Sequence, residues 1–373
     1  MLINEHSSDR LKLLRLPLII GVVFVHAYDN KIGLSSGLGV LETVSFSSKF
    51  IPNLISQGVA RIAVPLFFLM SGYFLFLGFS WSIENYRKKL FFRFKTLLVP
   101  FIFWNVVTLL CVALAQSIPA TQVYFSGENP QVSTFGVYEY VNSIVGFDQS
   151  PISYQFWFIR DLMLMVLLTP LIWLIIKGKG GGIFLYGVFL LWFFNCWPVY
   201  IPSVTATAFF YAGAYFAYLN ISLFALDRFG RAILASYLIL LLIDTLSKEY
   251  LFNSYIHNFG VILGVASALY VSRFIVRVKI FKNVLMWGGG CSFFIFAVHE
   301  PLLTVLKKVA YRSIPPSSDG AGLFLYLIIP IIVISLSMLL YLMMMKFAPK
   351  MLSVISGGRL KIEEESQRSN VEF

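Results

Sequence analysis

The sequence predicts an all-α, polytopic membrane protein with about ten transmembrane helices and both termini in the cytoplasm. Of the 373 residues, 58% are hydrophobic and only 13% are charged, which is roughly half the charged fraction of a soluble protein. The apolar residues recur in blocks of about 20, the length that crosses a bilayer core as a helix. Basic residues are concentrated in every second connection between these blocks, as the positive-inside rule requires.

Ten apolar segments are the predicted spans. The fifth is short, and Pro100 lies within the third. We predict a single transmembrane domain over residues 1–350 and a polar, disordered cytoplasmic tail over 351–373. The predicted spans are 12–29, 58–79, 96–116, 155–176, 183–198, 204–224, 231–247, 256–276, 284–306 and 322–346.

The distribution of charge supports this topology. With a cytoplasmic N-terminus, most of the 29 lysines and arginines fall in cytoplasmic segments, and the cluster Lys307, Lys308 and Arg312 is the clear exception. The net charge of +11 is therefore assigned to helix orientation and contact with anionic lipid. We expect no nucleic-acid partner.

Two polar residues share one face of the first predicted span. Arg15 and His26 are 11 residues apart, so a helix rotates by about 1100° between them and leaves them ~20° from alignment, ~16 Å apart along the axis. Placing polar side chains in a membrane is costly, and such residues are commonly functional. The alternatives are an interfacial anchor for Arg15 and a hydrogen-bonded packing role for His26.

Further polar residues fall at a depth similar to that of His26, in the outer half of the membrane. They are Arg61, Arg160, Asp161, His299 and Glu300. The sequence predicts a polar cavity with an anion site near Arg15 and acid–base groups near His26. The alternatives are an interfacial anchor for Arg61, a buried ion network for Arg160 and Asp161, and a structural role for His299.

Five short patterns resemble the acyltransferase family 3 membrane proteins, which are ten-helix O-acyltransferases of bacterial surface glycans. The resemblance extends over about residues 9–346. One departure is Lys12, where many members have an acid three residues before the arginine. The patterns are Arg15-(ten residues)-His26, Arg61 followed by VPLFFLMSGY at 64–73, Arg93-(six residues)-Pro100, Phe156-Trp157-Phe158 and His299-Glu300-Pro301.

The resemblance implies a reaction and a set of site residues. The implied donor substrate is acyl-CoA, with acetyl-CoA expected, and the implied acceptor is a hydroxyl of a cell-envelope glycan or lipid-linked sugar, in the bacterial inner membrane. We expect no tightly bound cofactor and no metal. The assigned residues are His26, Arg61, His299 and Glu300 for catalysis, Arg15, Arg93 and Lys95 for the donor, and Trp157, Arg160 and Asp161 for the acceptor.

Two other functions fit a membrane protein with embedded charges. A transporter or flippase of a lipid-linked sugar would also carry charges at mid-membrane, often with inverted repeats, and no repeat is evident in this sequence. A non-catalytic membrane scaffold would tolerate replacement of His26 and Arg61. Signal-peptide cleavage after Ala27 is a further alternative for the first span, but it would remove Arg15 and His26.

Overall fold

The computed structural model describes residues 5–28, 46–79, 81–122, 125, 130–313 and 318–358. Every regular element in these ranges is helical, which agrees with the all-α prediction. The α-helices are α1 Glu5–Leu13, α2 Arg15–Ala27, α3 Phe46–Pro52, α4 Ala63–Phe76, α5 Ile83–Arg93, α6 Val99–Ser117, α7 Pro119–Gln122, α8 Val137–Val145, α9 Trp157–Leu167, α10 Thr169–Lys177, α11 Gly181–Phe193, α12 Val204–Tyr218, α13 Gly230–Leu246, α14 Asn253–Ile275, α15 Lys279–Ser313, α16 Asp319–Phe347 and α17 Pro349–Ile355.

Six continuous helical stretches in the described ranges are long and apolar enough to cross a membrane. A seventh is obtained if Tyr154–Leu167 and Thr169–Lys177, which are bent by 58° at their junction, form one span. The six are Lys49–Phe76, Ile83–Ser117, Ala225–Leu246, Asn253–Ile275, Lys279–Ser313 and Asp319–Phe347.

Each of the ten predicted segments contains helix, but several of these helices are short. The first span is represented by α2, which has 13 residues, and the fifth by α11, also with 13. The sixth corresponds to α12, which has 15. A helix rises about 1.5 Å per residue, so such lengths are below the usual requirement for a full crossing. The structure thus supports a helical membrane protein, and the count of ten and the orientation stay predictions.

The described chain divides into two compact units. The first contains Met1–Val25, Asn53–Phe94 and Asp161–Ser292, and the second contains His26–Pro52, Lys95–Arg160 and Phe293–Phe373.

In the first unit, α4 and α12 pack closely through two glycines. A Cβ atom on Gly72 would lie 2.0 Å from the carbonyl oxygen of Phe210, and one on Gly213 would lie 2.0 Å from that of Leu69. Only glycine permits such an approach, as in other small-residue contacts between membrane helices. Part of the VPLFFLMSGY pattern therefore has a packing role.

In the second unit, α6 packs with α8 and α17, and α16 packs with α3 and α17. Helix α17 begins before the predicted tail and extends into it, and its Leu352 and Ile355 are buried. The prediction for residues 359–373 lies outside the described residues. The second half of α15 also belongs to this unit, and its helix is interrupted at Glu300 (φ −111°, ψ 134°) before Pro301. A proline ring prevents regular helix geometry at this point.

Candidate active site

His299 lies next to the kink in α15, and its hydrogen bond defines its tautomer. Its side chain is fully buried, and its Nδ1 lies 2.7 Å from the carbonyl oxygen of Phe296. A carbonyl can only accept, so Nδ1 carries the proton and Nε2 carries the lone pair. Within the described residues, Nε2 has no hydrogen-bond partner. A buried polar atom without a partner costs about 1–3 kcal/mol, so this nitrogen is a candidate for contact with substrate.

His26 lies beside His299 in the second unit. The two ring centroids are 5.3 Å apart with an interplanar angle of 32°. On another side, the centroid of the Tyr154 ring is 4.9 Å from that of His26, with an interplanar angle of 73°. The structure therefore brings together the two histidines assigned to catalysis. It also places beside them a tyrosine that the sequence analysis did not assign to the site.

Glu300 is held by three donors. The phenol of Tyr154 donates to Oε1 at 2.9 Å, while Thr304 donates to Oε2 from its hydroxyl at 2.8 Å and from its backbone N–H at 3.3 Å. Among the described residues Glu300 forms no ion pair. Because both carboxylate oxygens are occupied, the observed contacts of Glu300 are those of a group that fixes Tyr154.

Lys307 belongs to the charge cluster that departs from the positive-inside rule, and its contacts account for its position. It is 8% exposed, and its Nζ donates to the carbonyl oxygen of Ala27 at 3.3 Å. Ala27 is the last residue of α2, and cations are favourable at a helix C-terminus. Lys307 therefore stabilises the end of the helix that carries His26.

The cations assigned to the donor fall in both units. Arg15 begins α2 and is exposed, and Arg93 ends α5 and is partly buried. They lie close enough in the first unit for their charges to interact. Lys95 is exposed and belongs to the second unit. Arg15 and Arg93 thus provide two neighbouring positive charges, as a phosphate group requires.

Arg61 belongs to the first unit, where its Nε and Nη2 donate to Oε1 of Gln57 at 2.9 and 2.6 Å. Gln57 also accepts through its backbone oxygen from Lys248. Burial lowers the pKa of Lys248, Asp244 opposes this shift, and the charge of Arg61 adds to it. The contacts of Arg61 are those of a member of a polar cluster, and its assignment to catalysis stays a prediction.

The residues assigned to the acceptor have different surroundings. Trp157 begins α9 and is partly buried. Arg160 donates to the backbone oxygens of Gly146 and Gln149, and Asp161 accepts from the backbone N–H of Ser203 at 2.7 Å. These contacts hold loops in place, and acceptor binding by Trp157, Arg160 and Asp161 stays a prediction.

The sequence analysis did not assign three residues to the site: Thr304, Lys307 and Tyr154. Thr304 lies four residues after Glu300 on a helix, a spacing that predicts contact. Lys307 belonged to the conspicuous exception in the charge pattern. Tyr154 gave no comparable signal, because it precedes an aromatic run and contacts Glu300 across 146 residues of sequence. No group of three or more histidine, cysteine, aspartate or glutamate side chains in the described ranges is arranged to hold a metal.

Apolar helices around the buried imidazole of His299 and the partly buried imidazole of His26 fit a helical membrane enzyme that uses histidine chemistry. The chain belongs to the family described as "Acyltransferase domain", which matches residues 8–342. It is therefore an acyltransferase, and the predicted family resemblance is confirmed. It is similar to the "Succinoglycan biosynthesis protein ExoH" of Rhizobium meliloti (strain 1021), with 27% identity over 367 residues, covering 95% of this chain and 94% of the relative. No solved structure matches the chain significantly.

Proposed function

We propose that the protein is an O-acyltransferase of the bacterial inner membrane that moves an acetyl group from acetyl-CoA to a hydroxyl of a cell-envelope glycan. The observation that carries the proposal is the contact of His26 with His299 and Tyr154, at ring-centroid separations of 5.3 and 4.9 Å. This contact occurs in a member of an acyltransferase family. Membership in the family supports acyl transfer, and the two neighbouring imidazoles support a histidine base.

In the proposed reaction, His26 acts as the general base. It takes the proton of the acceptor hydroxyl while the hydroxyl oxygen attacks the thioester carbonyl. The new C–O bond forms, the C–S bond breaks, and the thiolate of CoA leaves and takes up the proton from His26. The lone pair on Nε2 of His299 accepts a hydrogen bond from the substrate and helps to orient it. This histidine has no partner for that nitrogen among the described residues.

The donor is bound through its phosphates by Arg15 and Arg93, which both belong to the first unit. Replacing Arg15 with Ala is expected to raise the KM for acetyl-CoA about tenfold, the loss of one charge-assisted contact, with little change in kcat. Initial rates over a range of acetyl-CoA concentrations test this. An equal loss of rate at every concentration would indicate a structural role for Arg15 instead.

The glycan acceptor is supported by the name of the relative, which assigns that protein to succinoglycan biosynthesis. The two chains are similar over nearly their whole lengths. We extend the class of acceptor, a cell-envelope polysaccharide or its lipid-linked precursor, to this chain. O-antigen, capsule and exopolysaccharide all belong to this class.

The experiment is the replacement of His26 with Ala in a strain that lacks the native copy, with mass spectrometry of acetyl groups on the surface glycan. The wild-type chain should restore acetylation and the variant should not, although it inserts in the membrane at the wild-type level. His257→Ala is the matched control, because His257 is a helical histidine of the other unit. Full acetylation by His26→Ala would disprove the proposed role of His26.

A further inference from the structure

We propose that Tyr154 is the binding surface for the acceptor sugar, with its ring packing against a pyranose so that a hydroxyl faces His26. This inference rests on the proposed transfer to a glycan and adds an acceptor-binding residue to it. Tyr154 contacts His26 through its ring and Glu300 through its hydroxyl.

The exposure of Tyr154 differs sharply from that of its neighbours. Tyr154 is 37% exposed, whereas Ser153 is 3% and Gln155 is 1% exposed. Its hydroxyl is bonded to Glu300, which is only 5% exposed. Tyr154 is therefore an exposed residue that contacts a buried carboxylate through its hydroxyl and His26 through its ring.

The backbone before Tyr154 is fixed to α6. The N–H of Ser153 donates to Oδ1 of Asn105 at 3.1 Å, and the hydroxyl of Ser153 donates to Oγ1 of Thr108 at 2.6 Å. Asn105 is completely buried. A side chain on such an anchored segment loses little conformational entropy when a ligand binds.

The residue after Tyr154 is fixed to α15. Nε2 of Gln155 lies 3.3 Å from the backbone oxygens of both Ala297 and Glu300, and it can donate to each. The tyrosine hydroxyl is in turn held by the Glu300 carboxylate, whose second oxygen is bonded by Thr304. The position of the ring is thus set from three directions, which is the property of a preformed binding surface.

The surroundings of the ring favour a sugar over a purely apolar ligand. A pyranose has an apolar face of C–H groups and a rim of hydroxyls. The tyrosine offers an aromatic surface, and the His26 ring offers polar nitrogens beside it. Binding sites for small molecules combine such apolar surfaces with a few placed polar groups.

The test uses the purified full chain in detergent with radiolabelled acetyl-CoA. The acceptors are envelope glycan whose acyl groups have been removed by mild base, and glycerol, which has hydroxyls but no ring. Initial rates are measured for the wild type, Tyr154→Ala and Tyr154→Phe. Tyr138→Ala is the matched control, because Tyr138 is another exposed tyrosine of the same unit whose hydroxyl bonds a carboxylate, that of Asp148.

Tyr154→Ala should raise the KM for the glycan about tenfold, the scale of one lost aromatic contact. The KM for acetyl-CoA should stay at the wild-type value, and the rate should fall more with the glycan than with glycerol. Tyr154→Phe, which keeps the ring, should show a smaller rise, and Tyr138→Ala none.

Two results would overturn the assignment of Tyr154. A rise in the KM for acetyl-CoA would place Tyr154 at the donor, and an equal loss of rate with glycan and glycerol would mean that it acts only through His26. An unchanged KM for the glycan in Tyr154→Ala, with a wild-type chain that acetylates the glycan, would refute the sugar surface alone. A wild-type chain that never consumes acetyl-CoA would refute the proposed function as well.

Discussion

Each unit contains a histidine near a buried carboxylate, and the two groups differ in how completely their polar atoms are paired. In the first unit, Asp244 accepts from Lys248 at 2.7 Å, from His257 at 3.1 Å and from the side chain of Asn253 at 2.9 Å. In the second unit, Glu300 accepts only from uncharged donors, and Nε2 of His299 has no partner within the described residues.

The difference separates a fully paired cluster from the cluster that we propose to be the site. The charge of Asp244 is balanced by Lys248, and the cluster joins the end of α13 to the start of α14. Breaking up such a network costs stability. Beside His26, Nε2 of His299 has no partner within the described residues, which leaves one polar atom for a substrate. Buried polar groups in membrane proteins are therefore better classified by their remaining contacts than by their depth.

The largest expected effect is on stability, in the first unit. Asp244→Asn removes the negative charge that balances Lys248. It also replaces one accepting oxygen by an N–H₂ group, which cannot accept from the donors around it, Lys248, His257 and Asn253. The unfolding free energy should fall by about 3 kcal/mol, the cost of breaking a buried ion pair, and the thermal midpoint in detergent should fall with it. Acetyl transfer per folded molecule should stay unchanged. A loss of activity without a loss of stability would remove the distinction between the two units.

The next effect is on the rate, in the second unit. His299→Ala removes the unpaired nitrogen, so the kcat for acetyl transfer should fall about 100-fold, the scale of one positioned polar or acid–base group. The thermal midpoint should change less than in Asp244→Asn, because His299→Ala removes the hydrogen bond of Nδ1 to Phe296 but breaks no ion pair. Steady-state kinetics and thermal unfolding of the two variants side by side measure both quantities. If His299→Ala lowered the thermal midpoint but kept a normal kcat, His299 would have a structural role and not a role in the reaction.

The smallest effect sharpens the role of Glu300. Glu300→Gln keeps an oxygen for the phenol of Tyr154 but turns its N–H₂ toward Thr304, so one hydrogen bond is lost. The KM for the glycan should rise about fivefold, the cost of one such bond. The pH profile of kcat should keep its shape, because Glu300 positions Tyr154 and exchanges no proton. Loss of one limb of that profile would instead make Glu300 an acid–base group.

Much of the fold was predictable, because membrane helices are encoded by local hydrophobicity and the flanking charge. His26, His299 and Glu300 could be proposed because polar residues are rare in apolar spans. Tyr154 could not, since its partners are distant in sequence and tyrosine is common at membrane boundaries. The ion pair of Asp244 with Lys248 and its contact with His257 were not predicted either, because His257 lies 13 residues away on the next helix. The short lengths of α2 and α11 also could not be derived from hydrophobicity alone.

The central claim is that His26 belongs to an acyl-transfer site. It is tested most directly by measuring CoA release from acetyl-CoA, with deacylated envelope glycan, by the purified wild-type chain and by His26→Ala. Thermal stabilisation by CoA is followed in the same samples. We predict that CoA stabilises both proteins and that only the wild type releases CoA and acetylates the glycan. Equal release by both would contradict the role of His26, and neither release nor stabilisation in the wild type would favour a transporter.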